Sequence, residues 1–219
     1  MQQIHLDPPI TRDAIIPHIK PRLLSAEYQA QRIENVVKQH ISADLWLTWV
    51  VELADIIPPQ SIPDRSYPIA PGTYDFADNF NLTLPDLLHI GYENSKTSYM
   101  CQKLGDILGA LCEASLPVPE ETPASMYIIT TRSGAYGAAG ILDPAMQHQI
   151  KNIFGSKCFC LMSSVHEVLV VPASGDPEQK HELAHMVHTI NHDPNIMDPK
   201  DILSDHIFCL ENDTLAVVV

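Results

Sequence analysis

The frequency of proline is the feature that most limits how this chain can fold, because it predicts many loops and broken helices. The sequence has 18 prolines in 219 residues, and each one lacks a backbone N–H and clashes with the preceding turn of a helix. Short elements joined by many loops are therefore expected. Hydrophobic residues make up 45% of the chain, so it can still bury a core, and its length suits one substantial domain or two small ones.

The first 120 residues are predicted to form a helical region. A helix over 25–39 would have Ser25 as its N-cap, a position that serine favours. A second helix would begin at Ser42 or Asp44 and end before Pro58. Because its apolar residues are almost continuous, we expect it to be a central helix rather than a surface one.

Residues 57–81 hold five prolines and show neither a helical nor a strand period, so they are predicted to form a long connection. Its aromatic residues could attach it to a core; these are Tyr67, Tyr74, Phe76 and Phe80. After this connection, helices are predicted over 84–95, with Thr83 as N-cap, and over 98–115. Residues 117–125 are rich in proline and are interpreted as a linker.

Residues 121–219 predict an α+β region with the order β-β-α-β-β-α-β. Apolar and β-branched runs place the first four strands at 125–131, 138–143, 157–164 and 166–172. Two stretches, 206–213 and 215–219, close the chain as strands and together stand as the last β of this order. One helix begins at Pro144 and ends before Gly155, and a second contains a run of histidines. The prediction for the whole chain is an α+β fold in one compact unit, with a helical N-terminal half followed by a mainly antiparallel sheet with flanking helices.

The charge distribution argues against nucleic acid as a direct partner. The net charge is −14; the first 50 residues carry five basic and five acidic groups, and the other 169 carry eight and 22. No lysines or arginines are clustered in the sequence, so binding to a phosphate backbone is disfavoured. An acidic surface favours a basic partner instead. One form of this hypothesis is an inhibitor that occupies the nucleic-acid-binding surface of its target.

The chain is predicted to be cytoplasmic and to have no membrane partner. Its N-terminus has no basic region followed by an apolar one, so it does not resemble a signal peptide. The longest apolar stretch, 45–53, is far too short to span a bilayer. Five cysteines without a C-x-x-C pair are typical of reduced thiols.

The most specific chemical motif is H-E-x-x-H at residues 181–185. On a helix, His181 and His185 lie one turn apart and could bind one zinc ion, while Glu182 would act as general base. The expected third ligand is missing from the usual downstream positions. In addition, the four histidines of this helix fall on the face opposite its apolar residues. A solvated histidine face, adventitious binding of zinc or nickel, and a zinc site all remain open.

Two further segments combine serine, histidine and acidic residues. One offers Ser163, Ser164, His166 and Glu167, and the other offers Ser204, Asp205 and His206. Such side chains could in principle form a catalytic triad. Neither segment has the G-x-S-x-G turn of a serine hydrolase, so turns and caps are the simpler interpretation. The glycine-rich stretch "TRSGAYGAAG" is predicted to be a hairpin connection.

Three stretches resemble a bacterial family of unknown function, number 5688. They are "MYIITTRSGAYGAAGILD", "CFCLMSSVHEVLVVP" and "DPKDILSDHIFCLEN", and the resemblance is most specific at "SSVHEV" and "LSDHIF". It extends more loosely into the N-terminal stretches "ITRDAIIPHIKPRLL" and "ADLWLTWVVEL". The histidines of the H-E-x-x-H motif are not part of the family pattern. The resemblance implies a fold but no activity, and it makes the seven residues of the two serine segments the candidate functional surface.

The sequence as a whole favours a non-catalytic protein that binds an unknown protein partner and needs no cofactor. This hypothesis depends on the absence of a complete catalytic constellation, on the acidic composition and on the family resemblance. The alternative is a zinc-dependent, metallopeptidase-like hydrolase in which His181 and His185 hold the metal and Glu182 is the catalytic base.

Overall fold

The computed structural model describes residues 11–53, 56, 69–107 and 126–219. Its strands are β1 (Ile19–Ser25), β2 (Lys38–Ser42), β3 (Leu45–Glu52), β4 (Ile69–Pro71), β5 (Tyr99–Lys103), β6 (Tyr127–Thr131), β7 (Lys157–Leu161), β8 (Val168–Pro172), β9 (Ile207–Glu211) and β10 (Thr214–Val217). Its α-helices are α1 (Arg12–Ile15), α2 (Ala30–Ile33), α3 (Tyr74–Asn79), α4 (Leu84–Ser95), α5 (Pro144–Phe154) and α6 (Gln179–Asn191), and 3₁₀ helices cover Ile16–His18 and Gly137–Leu142.

The N-terminal half is built on an antiparallel sheet, so the predicted mainly helical region is wrong. Its strands have the order β1-β3-β2, and β4 pairs with the C-terminal part of β3. β3 is buried along nearly its whole length. A strand with apolar residues on both faces loses its period of two, and a short apolar run of this kind cannot be told from a buried helix. Its valines, leucines and tryptophans pack well on a pleated surface.

The C-terminal half forms a second antiparallel sheet, as predicted. Its strand order is β10-β9-β7-β8-β6-β5, and every neighbouring pair is antiparallel. The final hairpin turns at Asn212 and Asp213, which have φ values of 50° and 62°. Two successive left-handed residues give a turn whose twist matches that of the flanking strands.

Two further predicted elements, both now packed in or against the second sheet, are wrong in type. Within the predicted helix over 98–115, Tyr99–Lys103 is the edge strand β5. Residues 104–107 are helical, and 108–115 lie outside the described residues. The predicted strand at 138–143 is instead the buried 3₁₀ helix Gly137–Leu142. A Cβ atom on Gly137 would stand 2.5 Å from Thr130 Cα. This segment therefore packs across β6 at a distance that only glycine allows.

Two of the helix boundaries read from capping residues are confirmed, but the helix predicted to begin at Ser25 is wrong, because Ser25 is the last residue of β1. Thr83 and Asp86 form a capping box at the start of α4. The Asp143 side chain accepts a hydrogen bond from the Met146 N–H at the start of α5, and Gly155 follows this helix with a φ of 80°. These signals depend on neighbouring residues alone, which is why they can be read without a tertiary structure.

The described part of the proline-rich connection forms short elements. Its first part, 57–68 with Tyr67, and the predicted linker over 117–125 lie outside the described residues. The later part forms β4 and α3, and Phe76 and Phe80 pack against the core with ring centres 4.9 Å apart. Tyr74 is 54% exposed and does not contribute to this packing.

The two sheets share one apolar core. Leu23 and Trp49 of the first sheet belong to the same buried cluster as Ile129 and Phe208 of the second. A smaller cluster lies on the other face of the second sheet, where α6 packs. The predicted boundary near residue 120 lies outside the described residues and stays a prediction. Among the described helices, none is both long and apolar enough to cross a membrane.

Candidate functional site: a basic cleft between the sheets

The two serine-containing segments lie side by side in the fold. The Leu203 N–H donates to the Ser163 carbonyl at 2.9 Å, and the Ser204 N–H donates to the Met162 carbonyl at 3.0 Å. Ser164 and Ile202 form an isolated antiparallel bridge. Residues that are far apart in the sequence thus become neighbours beside the second sheet.

Ser164 and Ser204 are buried, and their hydroxyls are hydrogen-bonded within the fold. Ser164 is 2% exposed, and its Oγ accepts the His166 N–H at 3.0 Å. Ser204 is 0% exposed; its Oγ donates to Asp44 Oδ1 at 2.9 Å and lies 3.2 Å from His206 Nδ1. The same nitrogen of His206 is 3.4 Å from Asp44. In a triad, the nucleophile and the acid contact opposite ring nitrogens of the histidine.

Asp205 connects the histidine helix to the N-terminal half. Its Oδ2 accepts the Tyr28 hydroxyl at 2.5 Å, and its Oδ1 accepts Asn191 Nδ2 at 2.7 Å. Burial, together with the Asp205 carboxylate, raises the pKa of Tyr28. These contacts give Asp205 a structural role at the end of α6. Two further candidates, Ser163 and Glu167, are half-buried, and burial raises the pKa of Glu167.

His166 is the one member of the predicted surface that lines a large cavity. The Tyr136 N–H donates to its Nδ1 at 3.1 Å, and its Nε2 lies 3.5 Å from Asp201 Oδ2. The first contact requires an unprotonated Nδ1, so the neutral ring carries its proton on Nε2, towards Asp201. Tyr136 adopts the left-handed conformation, with φ 54°, at the start of the 3₁₀ helix that crosses β6.

Arg22 of β1 is buried beside Tyr136 without an ion-pair partner in the described part of the chain. It is 4% exposed, and its Cζ lies 3.6 Å from the centre of the Tyr136 ring. Its Nε has no hydrogen-bond partner among the described residues, and none of their carboxylates forms an ion pair with it. Burial lowers the pKa of this guanidinium, and Tyr136, which also forms a hydrogen bond with it, is the main group that opposes the shift. The Tyr136 ring also contacts His166, at 5.0 Å between ring centres.

Two adjoining cavities meet at this stack of side chains. The smaller has a volume of about 430 Å³ and the larger about 900 Å³, and both are lined by Arg22, Val50, Ala135 and Tyr136. β1 and β3 form one wall, and the turn after β6 forms the opposite wall. We call the two cavities together the inter-sheet cleft.

The inter-sheet cleft is basic, although the protein is strongly acidic. Of the 13 lysines and arginines of the chain, five line the cleft; they are Lys20, Arg22, Arg32, Arg132 and Lys200. Of the 27 acidic residues, its described lining contains two, Glu52 and Asp201. The fold therefore brings together cations that the sequence keeps apart.

The histidine helix contrasts with the cleft because its predicted metal-site residues face solvent. His181, Glu182 and His185 are exposed, while Leu183 and Val187 of the same helix are buried. The outward orientation predicted from the helical wheel is confirmed. Across the described ranges, no three side chains of histidine, cysteine, aspartate or glutamate converge in a way that could hold a metal ion. The third ligand that the zinc hypothesis requires is therefore not supplied by these residues.

The comparison with protein families decides what this chain is related to. A model described as a family of unknown function, DUF5688, matches residues 63–211. The chain belongs to DUF5688. The resemblance predicted from "SSVHEV" and "LSDHIF" is thus confirmed, and both stretches fall within the matched range. Neither the curated proteins nor the solved structures contain a match to the chain.

The cleft of this DUF5688 protein combines residues from inside and outside the matched range. Tyr136, His166 and Asp201 lie within 63–211, whereas Arg22 and Arg32 precede it. Sequence reasoning missed both arginines and interpreted the stretch around Tyr136 as a plain connection. One local signal was available: Arg22 directly precedes the apolar pair Leu23 and Leu24. A charged side chain inside a buried strand is rare unless it has a specific role.

Proposed function

We propose that this DUF5688 protein is a cytoplasmic, non-catalytic binding protein that receives a segment of a partner protein in the inter-sheet cleft. The observation that carries the proposal is the junction of the two cavities at Arg22 and Tyr136. The larger cavity alone reaches the upper end of the range typical of small-molecule sites, and the smaller one extends it. Such a groove suits a stretch of polypeptide better than a compact metabolite.

The lining of the cleft supports binding by a mixture of apolar and polar contacts. Leu24, Val36, Val50 and Pro71 contribute apolar surface to the larger cavity. Serine and threonine hydroxyls line much of the smaller one. Protein interfaces commonly combine an apolar centre with polar groups that fix register and orientation.

The serine chemistry of the two family stretches supports binding rather than catalysis. A nucleophile must reach its substrate and contact a base that an acid orients. Ser164 and Ser204 are buried, and Ser204 donates its proton to Asp44 rather than to a histidine. In this interpretation the two stretches build the wall that holds His166 and Asp201 in place.

Affinity capture from native lysate tests the proposal. The variant for this test should block the cleft without changing its charge. Ala135 lines both cavities, so Ala135→Trp should fill their junction and abolish capture of a specific protein. Ala216→Trp is the matched control, because Ala216 is exposed on β10. Equal capture by wild type and Ala135→Trp, with both proteins folded by circular dichroism, would place the interaction elsewhere and refute the proposal.

A further inference from the structure

We infer that the occupant of the inter-sheet cleft is an extended acidic segment of the partner protein, with carboxylates that pair with Arg22 and Arg32. This inference rests on the proposed function and adds the chemical class of the ligand. It reverses the expectation from net charge, which favoured a basic partner. The local charge of the binding surface matters more than the total, because charges farther away than about 8–10 Å are largely screened at physiological salt.

The burial of Arg22 is the first argument. A guanidinium removed from water without a counter-ion loses more solvation free energy than contacts with one neutral side chain restore. Tyr136 supplies those contacts, through its ring, whose centre lies 3.6 Å from Arg22 Cζ, and through a hydrogen bond. No described carboxylate forms an ion pair with Arg22. A carboxylate entering the cleft would supply two acceptors for the planar fork of donors that arginine presents.

Arg32 is the second argument, because it adds a like charge to the same cavity. It lines the larger cavity, is exposed, and acts on Arg22 as a repelling charge. The two nearby carboxylates have other partners: Asp198 pairs with Lys200 at 2.6 Å, and Asp201 lies 3.5 Å from His166. Two guanidiniums facing one cavity without a described carboxylate in ion-pair contact favour an anion between them.

The placement of the aromatic residues argues for a peptide rather than a nucleic acid. Single-stranded nucleic acids bind by stacking bases on exposed aromatic faces. Tyr136 contacts both Arg22 and His166, and Trp49, which also lines the cleft, is 1% exposed. Tyr99, in the smaller cavity, is half-buried, so none of the tyrosine and tryptophan side chains in the described lining is exposed.

The distribution of the remaining cations indicates that the ligand is extended. Lys20 and Arg132 line the smaller cavity, whereas Arg32 and Lys200 line the larger one. Lys20 donates to the Asn94 carbonyl, and Arg132 donates to the Thr97 carbonyl at 3.2 Å. Positive charges thus follow the cleft through both cavities. A chain with carboxylates at intervals can use them together, which a compact anion such as inorganic phosphate cannot do.

The test measures fluorescence anisotropy of a labelled synthetic peptide of alternating Glu and Ser, blocked at both ends, with full-length protein. The control peptide has Gln in place of every Glu. We expect the Glu peptide to bind wild type about tenfold or more tightly than the Gln peptide, because each charge-assisted hydrogen bond contributes roughly one such factor. Binding should weaken as salt is raised.

Variants of exposed residues connect the binding to the cleft. Arg32→Gln should weaken binding of the Glu peptide about tenfold. Arg12→Gln is the matched control, because Arg12 is an exposed arginine outside the cleft and should leave the affinity unchanged. Since Arg22 is buried and its replacement can disturb folding, Arg32 is the decisive position, and Arg22→Gln adds to the test where circular dichroism shows it to be folded.

Three outcomes overturn the inference: equal affinity for the two peptides, equal affinity of wild type and Arg32→Gln for the Glu peptide, or tighter binding of an oligothymidylate. Competition by inorganic phosphate at concentrations equal to those of the Glu peptide would also count against an extended ligand. Failure here is separable from failure of the proposed function. If Ala135→Trp abolishes partner capture while Arg32→Gln does not, the cleft binds the partner but not through its carboxylates.

Discussion

The histidine helix α6 and the inter-sheet cleft present chemically active residues in opposite ways. On α6, four histidines follow one another at helical spacing, and all four are exposed. His188 and His192 stack on each other, with ring centres 4.1 Å apart, instead of converging with a third group. In the cleft, the cations come from separate segments and surround a cavity. The H-E-x-x-H motif, whose residues are close in sequence, therefore lies on the surface, whereas the inter-sheet cleft is built by contacts between distant segments.

Overpacking the wall of the cleft is expected to have the largest effect on stability. Gly137→Ala places a Cβ atom within 2.5–2.6 Å of the backbone of Thr130 and Thr131. Overpacking against backbone should lower the free energy of unfolding by about 3 kcal/mol. Urea denaturation measures the change, and Gly175→Ala is the control because it has open space around it. Equal midpoints for the two variants would mean that the 3₁₀ helix does not position Tyr136 rigidly.

The buried face of α6 is expected to matter more than its histidine face. Asn191→Ala removes hydrogen bonds from Nδ2 to the Ser204 carbonyl, at 3.1 Å, and to Asp205. The loss should destabilise the fold by roughly 2 kcal/mol, because the Ser204 carbonyl stays buried without this donor. Thr189→Ala, on the exposed side of the same helix, should cost much less. A midpoint for Asn191→Ala that equals that of Thr189→Ala would contradict the structural role given to Asp205.

The half-buried Glu167 next to His166 should make stability depend on pH in a defined direction. Burial raises its pKa in the folded state above the ordinary value of 4.5. The unfolded chain therefore releases this proton more easily, and wild type loses stability as pH rises through the folded-state pKa. Glu167→Gln should be more stable than wild type at neutral pH, and the difference should vanish below pH 4.5.

Thermal unfolding of wild type and Glu167→Gln at a series of pH values measures this difference. Glu34→Gln provides the control, because Glu34 is exposed. A difference between Glu167→Gln and wild type that grows on acidification would show that the sign of the pKa shift is wrong.

The smallest effects are expected on the histidine face. The double variant His181→Gln, His185→Gln should change the free energy of unfolding by less than about 0.5 kcal/mol, as is usual for exposed positions. It should also capture partner protein as wild type does. Elemental mass spectrometry of untagged protein, purified without a nickel column, provides the sharper measurement. One zinc per chain in wild type that is lost in the variant would restore the metal-site hypothesis and remove the contrast with the cleft.

Much of the C-terminal half could be predicted because its signals are local. Strands such as β6 and β8 have apolar runs bounded by turn residues, and α5 begins at Asp143-Pro144 and ends at Gly155. The N-terminal half was misread because β3 is apolar on both faces, which hides its period. The 3₁₀ helix beginning at Gly137 was read as a strand, since its conformation depends on packing across β6 and not on its own residues.

For the candidate site, the sequence could point to the right neighbourhood but not to the right side chains. The two serine stretches lie next to each other, and His166 and the neighbouring Asp201 face the cleft. Ser204 and Asp205 are candidate functional residues in the sequence as much as His166 is, but their side chains form hydrogen bonds within the fold. Arg22 shows no partner in the sequence because Tyr136, which covers it, comes from a distant segment.

The sequence by itself determined the family, the capped helices, most strands of the second sheet and the outward face of the histidine helix. Each follows from residues within a few positions of one another, where backbone preferences and periodicity act. Only the tertiary structure decided that the first half is a sheet and that five cations line one cleft in an acidic protein. Contacts between distant segments arise when the chain closes long loops to bury its apolar strands, and that closure chooses which charged groups become neighbours.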